Sequence, residues 1–119
     1  MPGLPINHLN LTVPDVAATR DFFCDQFGFT CAKPHDALSI LDGSDGFVLT
    51  VMALKPYESA SWPDGFHLGV YVSEPEVSFH HQRLTDAGFA PGQIMRLHRG
   101  TMFYVTAPGD ILVEVCCPH

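Results

Sequence analysis

A stretch of this chain occurs twice. The first copy opens with His8-Leu-Asn-Leu-Thr-Val13, continues through Pro14-Asp15 and a helix-like run to Phe27, and closes on Gly28-Phe29. The second opens with His67-Leu-Gly-Val-Tyr-Val72, continues through Ser73-Glu74-Pro75 to Ala87, and closes on Gly88-Phe89. The histidines are 59 residues apart and the glycines 60, so one extra residue in the second helical run accounts for the difference. An internal repeat constrains a fold more than any local propensity, because both copies must form the same supersecondary unit.

Each copy begins with alternation, the mark of a strand with two unlike faces. Leu9, Leu11 and Val13 oppose His8, Asn10 and Thr12, while Leu68, Val70 and Val72 oppose His67, Gly69 and Tyr71. The apolar faces are expected to pack on helices, and the other faces to look into water. Asp15 and Ser73 are the expected helix N-caps, with Glu74 and Pro75 in the opening turn of the second helix. Val16, Thr19, Phe23 and Phe27 form one helical stripe, and Val77, Leu84 and Ala87 the other. Gly28 and Gly88 stand where a left-handed cap favours glycine.

Three shorter strand signals follow each helix. They are Thr30–Lys33, Ala37–Leu41 and Phe47–Ala53 in the first half, and Ile94–Leu97, Met102–Thr106 and Ile111–Cys116 in the second. The turns Asp42-Gly-Ser-Asp-Gly46 and Ala107-Pro-Gly-Asp110 precede the last strand of each half. The fold class is therefore α+β, with two βαβββ modules forming a curled mixed sheet around a polar cup. With 119 residues the chain is one domain, with module one at residues 5–54, a Pro-, Ser- and Gly-rich linker or lid at 55–65, and module two at 66–117.

Aligning the last strands pairs Phe47–Met52 with Ile111–Cys116 and sets Thr50 against Glu114. Glu114 is a carboxylate in an otherwise apolar strand, where an unpaired charge is costly. If the two sheets curl toward each other, His8, His67 and Glu114 converge. Two imidazoles and one carboxylate suit a divalent transition ion with positions left for water or substrate. Thr50 is the vacant fourth symmetry position. Tyr71 shares a strand face with His67, and the Tyr104 phenol is placed to donate to a substrate. Cys116 shares the face of Glu114.

The remaining candidates have plainer readings. His80 and His81 lie on the second helix, His81 solvated or at a subunit contact. His35, His98 and His119 are loop or rim residues, with His98, Arg96 and Arg99 near the cup mouth. Phe22, Phe23, Phe27, Phe29 and Phe89 are core.

Composition excludes several classes. Six Lys and Arg against 13 Asp and Glu give a net charge of −7, and there is no basic run, so nucleic acid and anionic membranes are not expected partners. The acidity suits a cationic ligand or serves solubility. No apolar run reaches the ~20 residues of a membrane helix, and the start of the chain has no signal-peptide pattern. The cysteines, Cys24, Cys31, Cys116 and Cys117, form no C-x-x-C pair and read as reduced thiols in a cytoplasmic protein.

Asn7-His8-Leu9 with Phe27-Gly-Phe29, Phe66-His67-Leu68-Gly69, and Phe103-Tyr-Val-Thr-Ala-Pro-Gly-Asp-Ile-Leu-Val-Glu114 together resemble the vicinal oxygen chelate superfamily, which includes glyoxalase I, fosfomycin-resistance proteins, extradiol dioxygenases and bleomycin-resistance proteins. The resemblance implies metal ligands at His8, His67 and Glu114 and a homodimer; Glu114, Tyr71 and Tyr104 are the candidate catalytic residues. The implied cofactor is a divalent ion: zinc, iron, manganese, cobalt or nickel. The implied reaction is electrophilic metal catalysis on a small oxygen-bearing substrate. Thr50 departs from the four-ligand glyoxalase pattern, which has a carboxylate there, and Ala107 stands where the turn commonly has Asp. The alternative is a metal-free small-molecule binder of the bleomycin-resistance type, or a module that only senses a ligand or dimerises.

Overall fold

The alternation in each opening strand survives folding, as shown by a computed structural model that describes residues 1–59 and 61–118. The chain divides into two units, Met1–Ala60 and Ser61–His119, each holding one copy of the repeat. In the first unit β1 (His8–Val13) leads into α1 (Val16–Phe27), then β2 (Leu38–Asp42) and β3 (Val48–Ala53). In the second, β4 (His67–Tyr71) leads into α2 (Glu74–Asp86), then β5 (Met95–Leu97), β6 (Gly100–Ala107) and β7 (Ile111–Pro118). The sheets run β1-β3-β2 and β4-β7-β6-β5.

The first and last strands of each copy pair in parallel, and the others antiparallel. The parallel pairs are in equivalent register. His8 lies beside Val48 and His67 beside Leu112, while Asn10 lies beside Thr50 and Gly69 beside Glu114. The sequence alignment of Thr50 with Glu114 is thus a true structural equivalence.

A parallel pair needs a long crossover, and here the helix supplies it. Asp15 caps α1 by accepting the Ala18 N–H at 3.0 Å, and Gly28 closes the helix at φ 73°. On α2 the Glu76 carboxylate accepts the Ser73 N–H at 3.0 Å, the reciprocal half of a capping box. Gly88, at φ 93°, follows the last turn. The helices cover the apolar sheet faces. Leu11, Val13, Phe23, Leu41, Leu49 and Val51 are buried in the first unit, and Val77, Leu84, Phe103, Ile111, Val113 and Val115 in the second. Each such side chain contributes about 2 kcal/mol by leaving water.

Three sequence expectations are corrected. The strand at Thr30–Lys33 is reduced to one antiparallel bridge between Thr30 and Asp42. Pro34 has no N–H for a ladder, and buried Ser39 holds the following loop by donating to the His35 carbonyl at 2.7 Å and accepting the His35 N–H at 3.1 Å. Ala87 is the exposed C-cap of α2 rather than part of its buried stripe. Phe22 and Phe23 are core, whereas Phe27, Phe29 and Phe89 are half-buried at its margin.

Part of the expected linker is anchored. Trp62 stacks on Phe66 at 4.8 Å and donates its indole N–H to the Gly109 carbonyl at 2.9 Å, fixing the approach to β4 on the β6–β7 turn.

Replacing Asp15 with Ala removes the cap of the crossover helix. The expected cost is about 1 kcal/mol, read as a lower urea midpoint with an unchanged slope.

Candidate functional site

Glu114 can sit within β7 because of the pleat. Ile111, Val113 and Val115 point at α2 and are fully buried, so Leu112 and Glu114 point to the opposite face. Glu114 lies between Gly69 of β4 and Tyr104 of β6. Gly69 leaves the carboxylate room, since a Cβ built there would meet nothing within 4 Å.

His67 stands on the same face. Its Nε2 is 3.7 Å from Glu114 Oε1, with the side chains 39% and 21% exposed respectively. Its Nδ1–H donates to the Gly65 carbonyl at 2.8 Å. That bond makes Nδ1 the donor and leaves Nε2 facing the carboxylate, with the ring oriented as a ligating histidine is held. In the other unit His8 has the same preparation, its Nδ1 lying 2.8 Å from Asn7 Oδ1. Each Nδ1 thus has an acceptor close by in the chain. Asn7 adjoins its histidine, and Gly65 owes its role to a turn at φ 83°.

Thr50 is engaged, donating to Asn10 Oδ1 at 2.7 Å. The first unit thus has a closed Thr–Asn pair where the second has a carboxylate beside open space. Among the described residues, no three His, Cys, Asp or Glu side chains form a group able to hold a metal ion.

Tyr104 packs edge-on against His67, with ring centres 5.7 Å apart. Hydrogen bonding to Glu114 raises the pKa of its phenol above the usual value, so it remains an O–H donor at neutral pH. Tyr71 is 80% exposed and lines a pocket of about 370 Å³ together with Glu114, Cys116, Met102, Leu97 and Arg99. The sequence reading missed the apolar wall of Leu97 and Met102, because nothing local separates a pocket residue from any other strand residue.

Three of the other histidines are engaged elsewhere. His81, partly exposed, donates Nε2–H to the Gly92 carbonyl at 2.9 Å and packs edge-on against buried Phe103. His80 accepts from Arg83 Nε at 3.2 Å, and its pKa is lowered by burial and by that guanidinium. His35 belongs to the Ser39 loop. His119 lies outside the described residues.

Comparison with known proteins accords with this geometry. Residues 5–115 match the family model described as the Glyoxalase/Bleomycin resistance protein/Dioxygenase superfamily. A structure described as a possible glyoxalase from Bacillus cereus is 39% identical, with a TM-score of 0.80, covering 97% of this chain and 100% of that one. A lactoylglutathione lyase from Agrobacterium tumefaciens is 20% identical at a TM-score of 0.78, covering 98% and 95%. The oxidase ChaP-H2 is 19% identical at 0.78, covering 98% and 94%. These last two show likeness of fold. No curated protein matches the chain.

Cys116 is 8% exposed, and burial, followed by neighbouring Glu114, pushes its thiol up to about 11 from an ordinary 9.0. The unfolded thiol ionises first, so the stability it contributes is complete below pH 9 and is lost as pH rises toward 11. Urea unfolding across that window is expected to show the wild type losing up to about 1 kcal/mol per pH unit more than Cys116→Ala.

Proposed function

Because this chain belongs to the glyoxalase/bleomycin resistance protein/dioxygenase superfamily, we propose that it is a divalent-metal-dependent enzyme acting on a small oxygen-bearing substrate. The observation that carries this reading is the state of His67. Its Nδ1–H is committed to a backbone carbonyl, and its Nε2 faces a carboxylate at 3.7 Å. An imidazole nitrogen beside a carboxylate oxygen, both partly solvated, is a donor pair of the right chemistry for zinc, iron, manganese, cobalt or nickel. The third donor on this reading is His8, whose ring is held by Asn7 in the same way.

Such an ion, when bound, supplies Lewis-acid stabilisation for negative charge developing on substrate oxygens. The protein's own groups do the rest. Gly65 and Asn7 hold the rings, Glu114 supplies the anionic oxygen, and the Tyr104 O–H donates beside it. Tyr71 forms one wall of the pocket, where its ring shields a bound molecule from water. The same reading makes the protein a homodimer in the cytoplasm, where its four free thiols remain reduced.

A second reading, a metal-free small-molecule binder, draws support from the pocket itself. Its wall is largely apolar, with few polar groups, as binding sites generally are.

Elemental mass spectrometry separates the two. The purified protein is expected to carry roughly one divalent transition ion per chain, lost in His67→Ala and Glu114→Gln and weakened in His8→Ala. No metal in the wild type, even after reloading with each ion, moves the assignment to the binder.

A further inference from the structure

The pocket beside Glu114 has a charge at each end. Along β7 it runs from Glu114 past Cys116 to Pro118, and across β6 from Met102 to Gly100. Four residues of extended strand span about 13 Å. At the far end the β5–β6 turn brings Arg99 into the wall. Gly100 makes that turn hug β7: its φ is 152°, and a Cβ there would collide with the Cys117 carbonyl oxygen.

Of the three cations in the second unit, two are occupied. Arg96 is bound to Glu74 at 3.0 Å, and Arg83 bonds to His80 on α2. Arg99 has no ion-pair partner among the described residues. Between Arg99 and Glu114 the wall is Leu97, Met102, Cys116 and the ring of Tyr71.

We propose that Arg99 is the specificity residue of this pocket, and that the substrate is an elongated molecule with an apolar body and a carboxylate at the end remote from Glu114. The proposal rests on the reading that this pocket is the substrate site. The guanidinium orients the occupant. A carboxylate pairs with it at the far end, so the rest of the molecule extends toward Glu114. The overall charge of −7 suits a cation, but the selective group within the pocket wall has the opposite sign to the chain as a whole. Local charge at contact distance outweighs distant charge screened beyond about 8 Å in physiological salt.

The test uses three probes that differ in one group: 4-phenylbutyrate, 4-phenylbutan-1-ol and 4-phenylbutylamine. Binding is followed by amide chemical shifts of isotope-labelled full-length protein, with and without chelator. The butyrate is expected to shift Tyr71, Arg99, Met102 and Cys117 and to bind about tenfold more tightly than the alcohol. Arg99→Gln abolishes that preference, and Arg99→Lys restores most of it. Equal binding of butyrate and alcohol, a preference for the amine, an unchanged preference in Arg99→Gln, or no shifts up to about 10 mM would each overturn the proposal. Metal content of the same samples keeps the outcomes apart. Loss of the metal reading leaves the Arg99 effect intact in chelator, while loss of the Arg99 effect leaves metal binding by His67 and Glu114 standing.

Discussion

Parallel pairing of the first and last strands in each copy is the constraint on which the rest depends. Two parallel neighbours cannot be joined by a tight turn, so the chain must cross over the sheet, and α1 and α2 are those crossovers. Once a helix covers one face, the pleat decides everything about the other. Leu11, Val13, Val113 and Val115 go under the helix, and His8, His67 and Glu114 are left on the open side. A slip of one residue would exchange the two sets, burying the histidines and the carboxylate. The buried valines and leucines thereby hold the site in register.

The two copies have diverged where their chemistry differs. In the first unit Thr50 and Asn10 satisfy each other across the strands, which closes that position. In the second, glycine replaces the asparagine and glutamate the threonine, so a charged oxygen faces unoccupied space. Around it lie a phenol that remains protonated, an imidazole with its ring held, and a thiol kept neutral by burial. The asymmetry puts the strand carboxylate in the second unit while the architecture remains repeated.

Legibility in the sequence followed physical range. Strand faces, caps and glycine positions are local, and Asp15, Gly28, Ser73 and Gly88 stand where they were expected. The equivalence of Thr50 and Glu114 is non-local, yet it was readable because the repeat supplies its own alignment. The strand at Thr30–Lys33 was misread because the apparent propensity there loses to Pro34 and to the grip of Ser39 on the His35 backbone. The partner of His81, the Gly92 carbonyl, lies 11 residues away on a loop that no helical pattern reveals.

The sequence by itself determined the repeated α+β module, the faces of its strands, and the residue types offered to a metal or ligand. Those follow from periodicity and from the costs of exposing apolar groups and burying charge. Only the tertiary structure decided which groups meet. It turned His67 by a bond to Gly65, placed Tyr104 beside Glu114, tied Arg96 to Glu74, and left Arg99 in the pocket wall. Arg96 and Arg99 are indistinguishable as letters three positions apart. A strand register and one turn hugging β7 give them different neighbours, and neighbours set what a charge does.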